Sequence, residues 1–282
     1  MTIALDLPAR SRLSRPGSSV AIAALLPVGA YLAAGAPALR DGEVWRCTVA
    51  MVIAVAAANA FNDYRDVITD RLGHPDRPVP SGRLAPAAAL QQAVACAFAA
   101  VVIGAISPAL LAVFAIIVTL GLCYSLGPKG IVLLGNLMVA VLAASPIAVG
   151  AIIVGRIDVV TWSATAIVAT FTLLYEVMKD LRDAEADAAA GLRTIATVLP
   201  PCRVGMLLRL LTVPWFVVTV LPCWTLRPQA AYAWTAILLV AGPLIAAITM
   251  LPIGRTDNDL QFAIWLTRFV RVPGLLMLVL LR

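Results

Sequence analysis

Runs of roughly 20 mostly apolar residues recur along the whole chain, each long enough to cross a bilayer as a helix. They lie near 18–37, 44–62, 86–106, 108–126, 131–153, 159–178, 204–224, 229–250 and 261–281. Hydrocarbon offers no partner to exposed backbone N–H and C=O groups, so runs of this kind must satisfy them internally, as helices. An all-α polytopic membrane protein with about nine transmembrane helices is therefore expected. Only 13% of the 282 residues are charged, against roughly 25% in soluble domains, which excludes a single soluble domain.

Ser107-Pro108 separates the third and fourth runs and predicts a tight helical hairpin. Pro146, Pro214 and Pro243 fall inside runs, where membrane helices tolerate proline and usually kink. No extended linker or low-complexity stretch appears, so residues 1–282 read as one domain. The apolar stretch after Arg15 is too long for the core of a cleavable signal peptide and reads as a first span. Cys47, Cys96, Cys123, Cys202 and Cys223 show no CxxC spacing and read as small packing residues.

Lys and Arg set the orientation, because cytoplasmic loops carry their excess. With the N-terminus inside, the inner segments hold fourteen: Arg10, Arg12, Arg15, Arg65, Arg71, Arg77, Arg83, Lys129, Lys179, Arg182, Arg193, Arg203, Arg209 and Arg255. The outer segments hold five, and Arg268 and Arg271 remain within the last run. A cytoplasmic N-terminus in the cell membrane follows. The asymmetry also accounts for the net charge of +6 without nucleic-acid binding.

Nine of the fifteen acids fall in two short segments, each after an even-numbered span. Asn62, Asp66 and Asp70 are spaced i, i+4, i+8, and Glu176, Asp180, Asp183 and Asp187 are spaced i, i+4, i+7, i+11. Each set forms a stripe along one edge of a helix. Like charges at that spacing repel, and carboxylates at a membrane boundary are costly to desolvate, so a compensating cation is expected. Oxygen-only ligands suit Mg2+ rather than zinc. Solvated loop acids are the plainer reading, but they leave the recurrence after two spans unexplained. Basic residues share the same inner loops, and magnesium with Arg and Lys is the usual equipment for a diphosphate.

Four blocks resemble the UbiA family of intramembrane prenyltransferases. Asn62 to Arg71 is similar to that family's NDxxDxxxD motif, and Asp76 to Arg83 to its DRPxPSGR stretch. Tyr124-Ser125 with Lys129, then Gly135-Asn136, is similar to its YS…K…GN segment. Lys179 to Asp187, with Gly191 and Thr194, is similar to KDxxDxEGDxxxGxxT. The blocks occur in order and cover most of the chain. The resemblance implies nine helices around a central cavity that opens toward the cytoplasm and laterally to membrane lipid. It implies a bound prenyl diphosphate and magnesium held by Asn62, Asp66 and Asp70 on one side and Asp180, Asp183 and Asp187 on the other. Two positions depart from the pattern: Ser18 stands where many members have Asn, and Ala186 where Gly is usual. The second keeps every carboxylate. The first lies where the acceptor site is shaped, and leaves the acceptor open.

Ionising an allylic diphosphate is eased when charge on the leaving group is neutralised in place. Magnesium on the two stripes, with Lys129, Arg77 and Arg83, could do this, and Lys179 either touches phosphate or snorkels. An aromatic face can stabilise the cation; Tyr124, Tyr175, Phe171 and Trp162 are the choices, with plain packing or lipid contact the simpler reading for the last three. His74 is a proton acceptor or, more simply, a solvated or capping residue. Three functions remain. Transfer of the prenyl group to an aromatic or lipid acceptor ranks first. A UbiA-type terpene cyclase that needs no acceptor ranks second. A transporter ranks last, because the acids sit at helix ends rather than mid-span.

Overall fold

The structure is a computed structural model, and it describes residues 7–105, 107–226, 228–249 and 257–282. Arg255, counted above among the inner cations, and Arg227, one of the five outer ones, lie outside the described residues. Among those described there is helix and no strand. Eight helices are long and apolar enough to cross a membrane: Pro16–Ala34, Gly42–Arg65, Pro86–Gly104, Leu134–Ile153, Val159–Ala189, Pro201–Thr225, Ala230–Thr249 and Asp259–Val279. The shorter apolar helix Pro108–Tyr124 takes the fourth of the nine expected positions. Numbered in chain order, these are the first to ninth spans.

Local chemistry explains where they begin. Pro16, Pro86, Pro108 and Pro201 each open a helix, where a missing N–H costs nothing. The Asp41 side chain accepts from the Glu43 N–H at the head of the second span. Asp158 and Thr161 form a reciprocal capping box at the head of the sixth. The third and fourth spans meet in the expected hairpin, where the Ser107 side chain accepts from the Leu110 N–H.

Prolines act unequally. The first span divides at Ala24, one residue after the carbonyl that Pro27 cannot bond. Pro146 is accommodated inside the fifth helix, and Pro214 inside the seventh. In the eighth span Pro243 follows a π-helical stretch, Thr235–Ala241, so the backbone meets the proline by rewinding.

The first and fifth spans cross with their backbones almost touching. A Cβ on Gly29 would stand 2.0 Å from the Ile147 carbonyl oxygen, and one on Gly150 2.0 Å from that of Leu26. Small residues at such crossings let helices approach closely in lipid. The main core joins the fifth to ninth spans around Leu174, Met178, Leu208, Trp215, Tyr232 and Leu244. The exterior inverts the soluble pattern, with Phe98 72% and Val272 77% exposed. Of the cysteines only Cys47 is buried, and Cys202 is exposed at a helix start, so the packing role holds for the first and not for the last.

The sixth helix runs eleven residues past the expected end at 178, to Ala189. At 31 residues it is about 46 Å long, more than the ~30 Å hydrocarbon core. Its surplus carries the second acid segment beyond the spanning part.

Candidate active site

The two acid segments face one cavity of about 280 Å³, lined by side chains of the first, second, fourth, fifth and sixth spans and the loops between them. Its walls are apolar at one end, with Met51, Val55, Ile117, Val139 and Leu142, and polar at the other.

The first segment is not one continuous helix. The second span ends at Arg65, Asp66 adopts a non-helical backbone, and a short helix restarts at Val67–Gly73. The phase survives, because the Asp66 N–H still donates to the Asn62 carbonyl at 2.8 Å and the Asp70 N–H to the Asp66 carbonyl at 2.7 Å. Asn62 and Asp70 therefore both line the cavity, while Asp66 is buried.

Three of the acids here have a cation beside them, and Asp76 has none among the described residues. Asp66 receives the Lys129 ammonium, and also the Asn62 amide at 2.6 Å. Asp70 receives Arg77 at 2.6 Å. Asp63, which the spacing left off the stripe, is 1% exposed and pairs with Arg15, with Arg77 at 3.8 Å.

The second segment lies on unbroken helix. Glu176 holds Lys179 through both oxygens at 2.9 Å, and Asp183 holds Arg182 at 2.7 and 2.6 Å. Asp180 accepts the Asn136 amide at 2.9 Å. Among the described residues, neither Asp180 nor the buried Asp187 has a Lys or Arg at ion-pair distance. Lys129 sits on the turn Pro128–Gly130, directly against the start of the fifth span. A Cβ on Gly135 would stand 3.0 Å from the Lys129 Cα, so Gly135 sets how close the lysine comes.

His74 follows the short helix, and its Nε2 lies 4.0 Å from Asp183. Burial, then the charge of Arg77, holds its pKa below the ordinary value, so the imidazole is neutral near pH 7.

Of the expected site residues, the structure brings Asn62, Asp70, Arg77, Tyr124, Lys129, Lys179, Asp180, Asp183 and Asp187 to the cavity wall. Arg83 is not brought there: it is exposed and donates to the Ser81 hydroxyl at 3.0 Å and to the Asp76 carbonyl. Trp162 is 59% exposed on the outer surface. Phe171 packs on the main core, and Tyr175 lies under Arg271. Of the four aromatics, Tyr124 alone lines this cavity. Sequence spacing missed Arg15 and Asp63 as a pair. The available signal was a cation at the mouth of the first span and an acid one residue from the stripe.

Among the described residues no three His, Cys, Asp or Glu side chains stand close enough together to hold a metal. Magnesium is commonly held by one or two carboxylates completed by substrate phosphate oxygens. An all-oxygen donor set, with Asp180 and Asp187 lacking a cation, fits that mode.

The UbiA prenyltransferase family matches residues 22–269. A digeranylgeranylglyceryl phosphate synthase of Natronomonas pharaonis is 36% identical over 188 residues, 66% of this chain and 67% of that protein. A solved structure concerned with digeranylgeranylglyceryl phosphate synthase in membranes superposes with a TM-score of 0.75 at 17% identity, covering 97% of both chains. A UbiA homologue from Archaeoglobus fulgidus bound to GPP and Mg2+ superposes with a TM-score of 0.66 at 16% identity, covering 96% of this chain and 99% of that one. At these identities the two structures show a shared fold.

Proposed function

Because the chain belongs to the UbiA prenyltransferase family, we propose that it transfers an isoprenoid group from a prenyl diphosphate to a hydroxyl of a glyceryl phosphate lipid, with Mg2+ as cofactor. The observation that carries this is one cavity with two acid segments and their cations at its polar end and an apolar wall beyond. The acceptor class is supported by the 36% identity to a synthase of that kind. The same relative supports transfer over cyclisation, and a lipid acceptor over an aromatic one.

Bound magnesium would supply Lewis acidity to the diphosphate oxygens, held by Asn62, Asp66 and Asp70 and by Asp180, Asp183 and Asp187. Lys129 and Arg77 now rest on Asp66 and Asp70, and both line the cavity, so they can turn to phosphate oxygens when those carboxylates take a metal. Lys179 is placed to do the same. With the allylic C–O bond broken, its electron pair stays on the diphosphate. The acceptor hydroxyl then forms the new C–O bond and loses its proton. The apolar wall keeps water from the cation, and the Tyr124 ring is the aromatic face placed to stabilise it. The cavity shared by the first, second, fourth, fifth and sixth spans and the core that joins the first and fifth to ninth support reading residues 1–282 as one domain.

The test is product analysis of membranes given prenyl diphosphate and magnesium, with and without a prenyl glyceryl phosphate. An ether product that requires the acceptor is expected. A cyclic hydrocarbon or terpene alcohol formed without it overturns the reading.

The mouth of the cavity is proposed to face the cytoplasm, supported by the Lys and Arg excess in the segments on that side and by the diphosphate's charge, which cannot cross hydrocarbon unaided. A cysteine at Gly73 should react with an impermeant thiol reagent only in opened cells, and one at Pro228 in intact cells. The reverse pattern overturns this orientation.

A further inference from the structure

Arg268 and Arg271 lie well inside the ninth span, where a guanidinium is costly unless an anion meets it. Both are exposed. Among the described residues neither pairs with a carboxylate. Arg268 Nε donates weakly to the Tyr175 hydroxyl at 3.4 Å, and the Arg271 guanidinium lies 4.3 Å from the centroid of the Tyr175 ring. Lys179 approaches the same ring at 5.8 Å. Three cations thus gather around one tyrosine, and Glu176 is held by Lys179, whose charge also bears on Asp180 and Asp183. Among the described residues, the charge on the two arginines meets no carboxylate. The cluster opens to the lipid face and touches the cavity through Lys179, which lines both.

We propose that Arg268 and Arg271 bind the phosphate headgroup of the lipid acceptor at the seam between the sixth and ninth spans, beside Lys179 and at the edge of the cavity. This rests on the glyceryl phosphate acceptor proposed above. Arginine suits the task because its planar fork matches phosphate oxygens and stays charged in lipid. A phosphate at this seam keeps the acceptor's charge out of the apolar wall while its hydroxyl reaches the cavity. The prenyl diphosphate has Lys129 and Arg77 at the acid segments, and Lys179 stands between the two anions.

The test compares two acceptor probes in phosphatidylcholine liposomes: a synthetic prenyl glyceryl ether phosphate and the same ether without phosphate. The wild type should favour the phosphate by about a hundredfold in kcat/KM. In Arg268→Gln/Arg271→Gln that preference should fall below tenfold, with the rate on the phosphate-free ether and the KM for prenyl diphosphate unchanged. Arg268→Lys/Arg271→Lys should recover part of the preference. The proposal is overturned if the Gln variant keeps the full preference. It is equally overturned if both acceptors lose rate together, or if added phosphatidylglycerol restores the variant, since the arginines would then serve the fold or a structural lipid. A wild-type enzyme that uses neither probe, yet releases diphosphate with magnesium, overturns the acceptor reading itself and this site with it.

Discussion

The two acid segments look alike in sequence and differ in how their charge is met. In the first, three of the four carboxylates are answered by a cation: Asp63 by Arg15 and Asp66 by Lys129, both distant in the chain, and Asp70 by Arg77, seven residues on. In the second, the cations are neighbours on the same helix, Lys179 and Arg182, and Asp180 and Asp187 have none among the described residues. The first segment is a closed set of ion pairs that a substrate must open. The second leaves room for a cation from outside. Magnesium should therefore depend more on the second segment, and diphosphate affinity more on the partners of the first.

The largest expected effect breaks both halves at once. Exhaustive chelation should abolish turnover, magnesium or manganese should restore it, and zinc should not, for want of nitrogen or sulfur ligands. Full activity after chelation in a metal-free assay would remove the role of both segments. Next, Asp66→Ala and Asp183→Ala should each leave under a tenth of activity, more than about 1.4 kcal/mol of transition-state stabilisation, in protein that still elutes as folded in detergent. A variant above that limit acts only through its neighbours.

Two smaller changes separate the segments. Asp187→Asn should raise the magnesium concentration for half-maximal rate about tenfold with little change in diphosphate KM. Lys129→Gln should do the opposite, raising diphosphate KM about tenfold at unchanged magnesium demand. Titrating each ligand against both variants checks this, and identical shifts would erase the distinction. The smallest effect should come from Arg83→Ala. Its side chain is spent on Ser81 and the Asp76 carbonyl away from the cavity, so kcat/KM should stay within about twofold.

Much of this architecture is legible in the sequence because membrane helices announce themselves by length and apolarity. The nine positions and both acid stripes follow from that and from spacing alone. Cross-chain partnership is less legible, since periodicity tells which residues share a face and not what stands opposite. Arg15 counted only as a topological charge, yet it neutralises buried Asp63. Arg83 looked equal to Arg77 in the same basic loop, and the loop's turn directs it elsewhere. The stripe through Asp66 implied continuous helix. The chain instead pauses there and resumes in phase, because two backbone hydrogen bonds bridge the break. Trp162 and Phe171 had the right chemistry for a carbocation and the wrong address, one on the outer surface and one in the core.

The crossing of Gly29 over Ile147, and of Gly150 over Leu26, has a mechanical consequence. Two main chains in contact leave no side chain between them that could swing aside, so the first and fifth spans, which both line the cavity, are bolted to each other. The second and fourth spans line the same cavity with small residues, Ala54, Ala58 and Gly121. There a Cβ added to Gly121 would already meet that of Ala58 at 3.3 Å. The calibre offered to a hydrocarbon tail is thus gauged in part by a few methyl groups on the second and fourth spans, beside a first and fifth span clamped together.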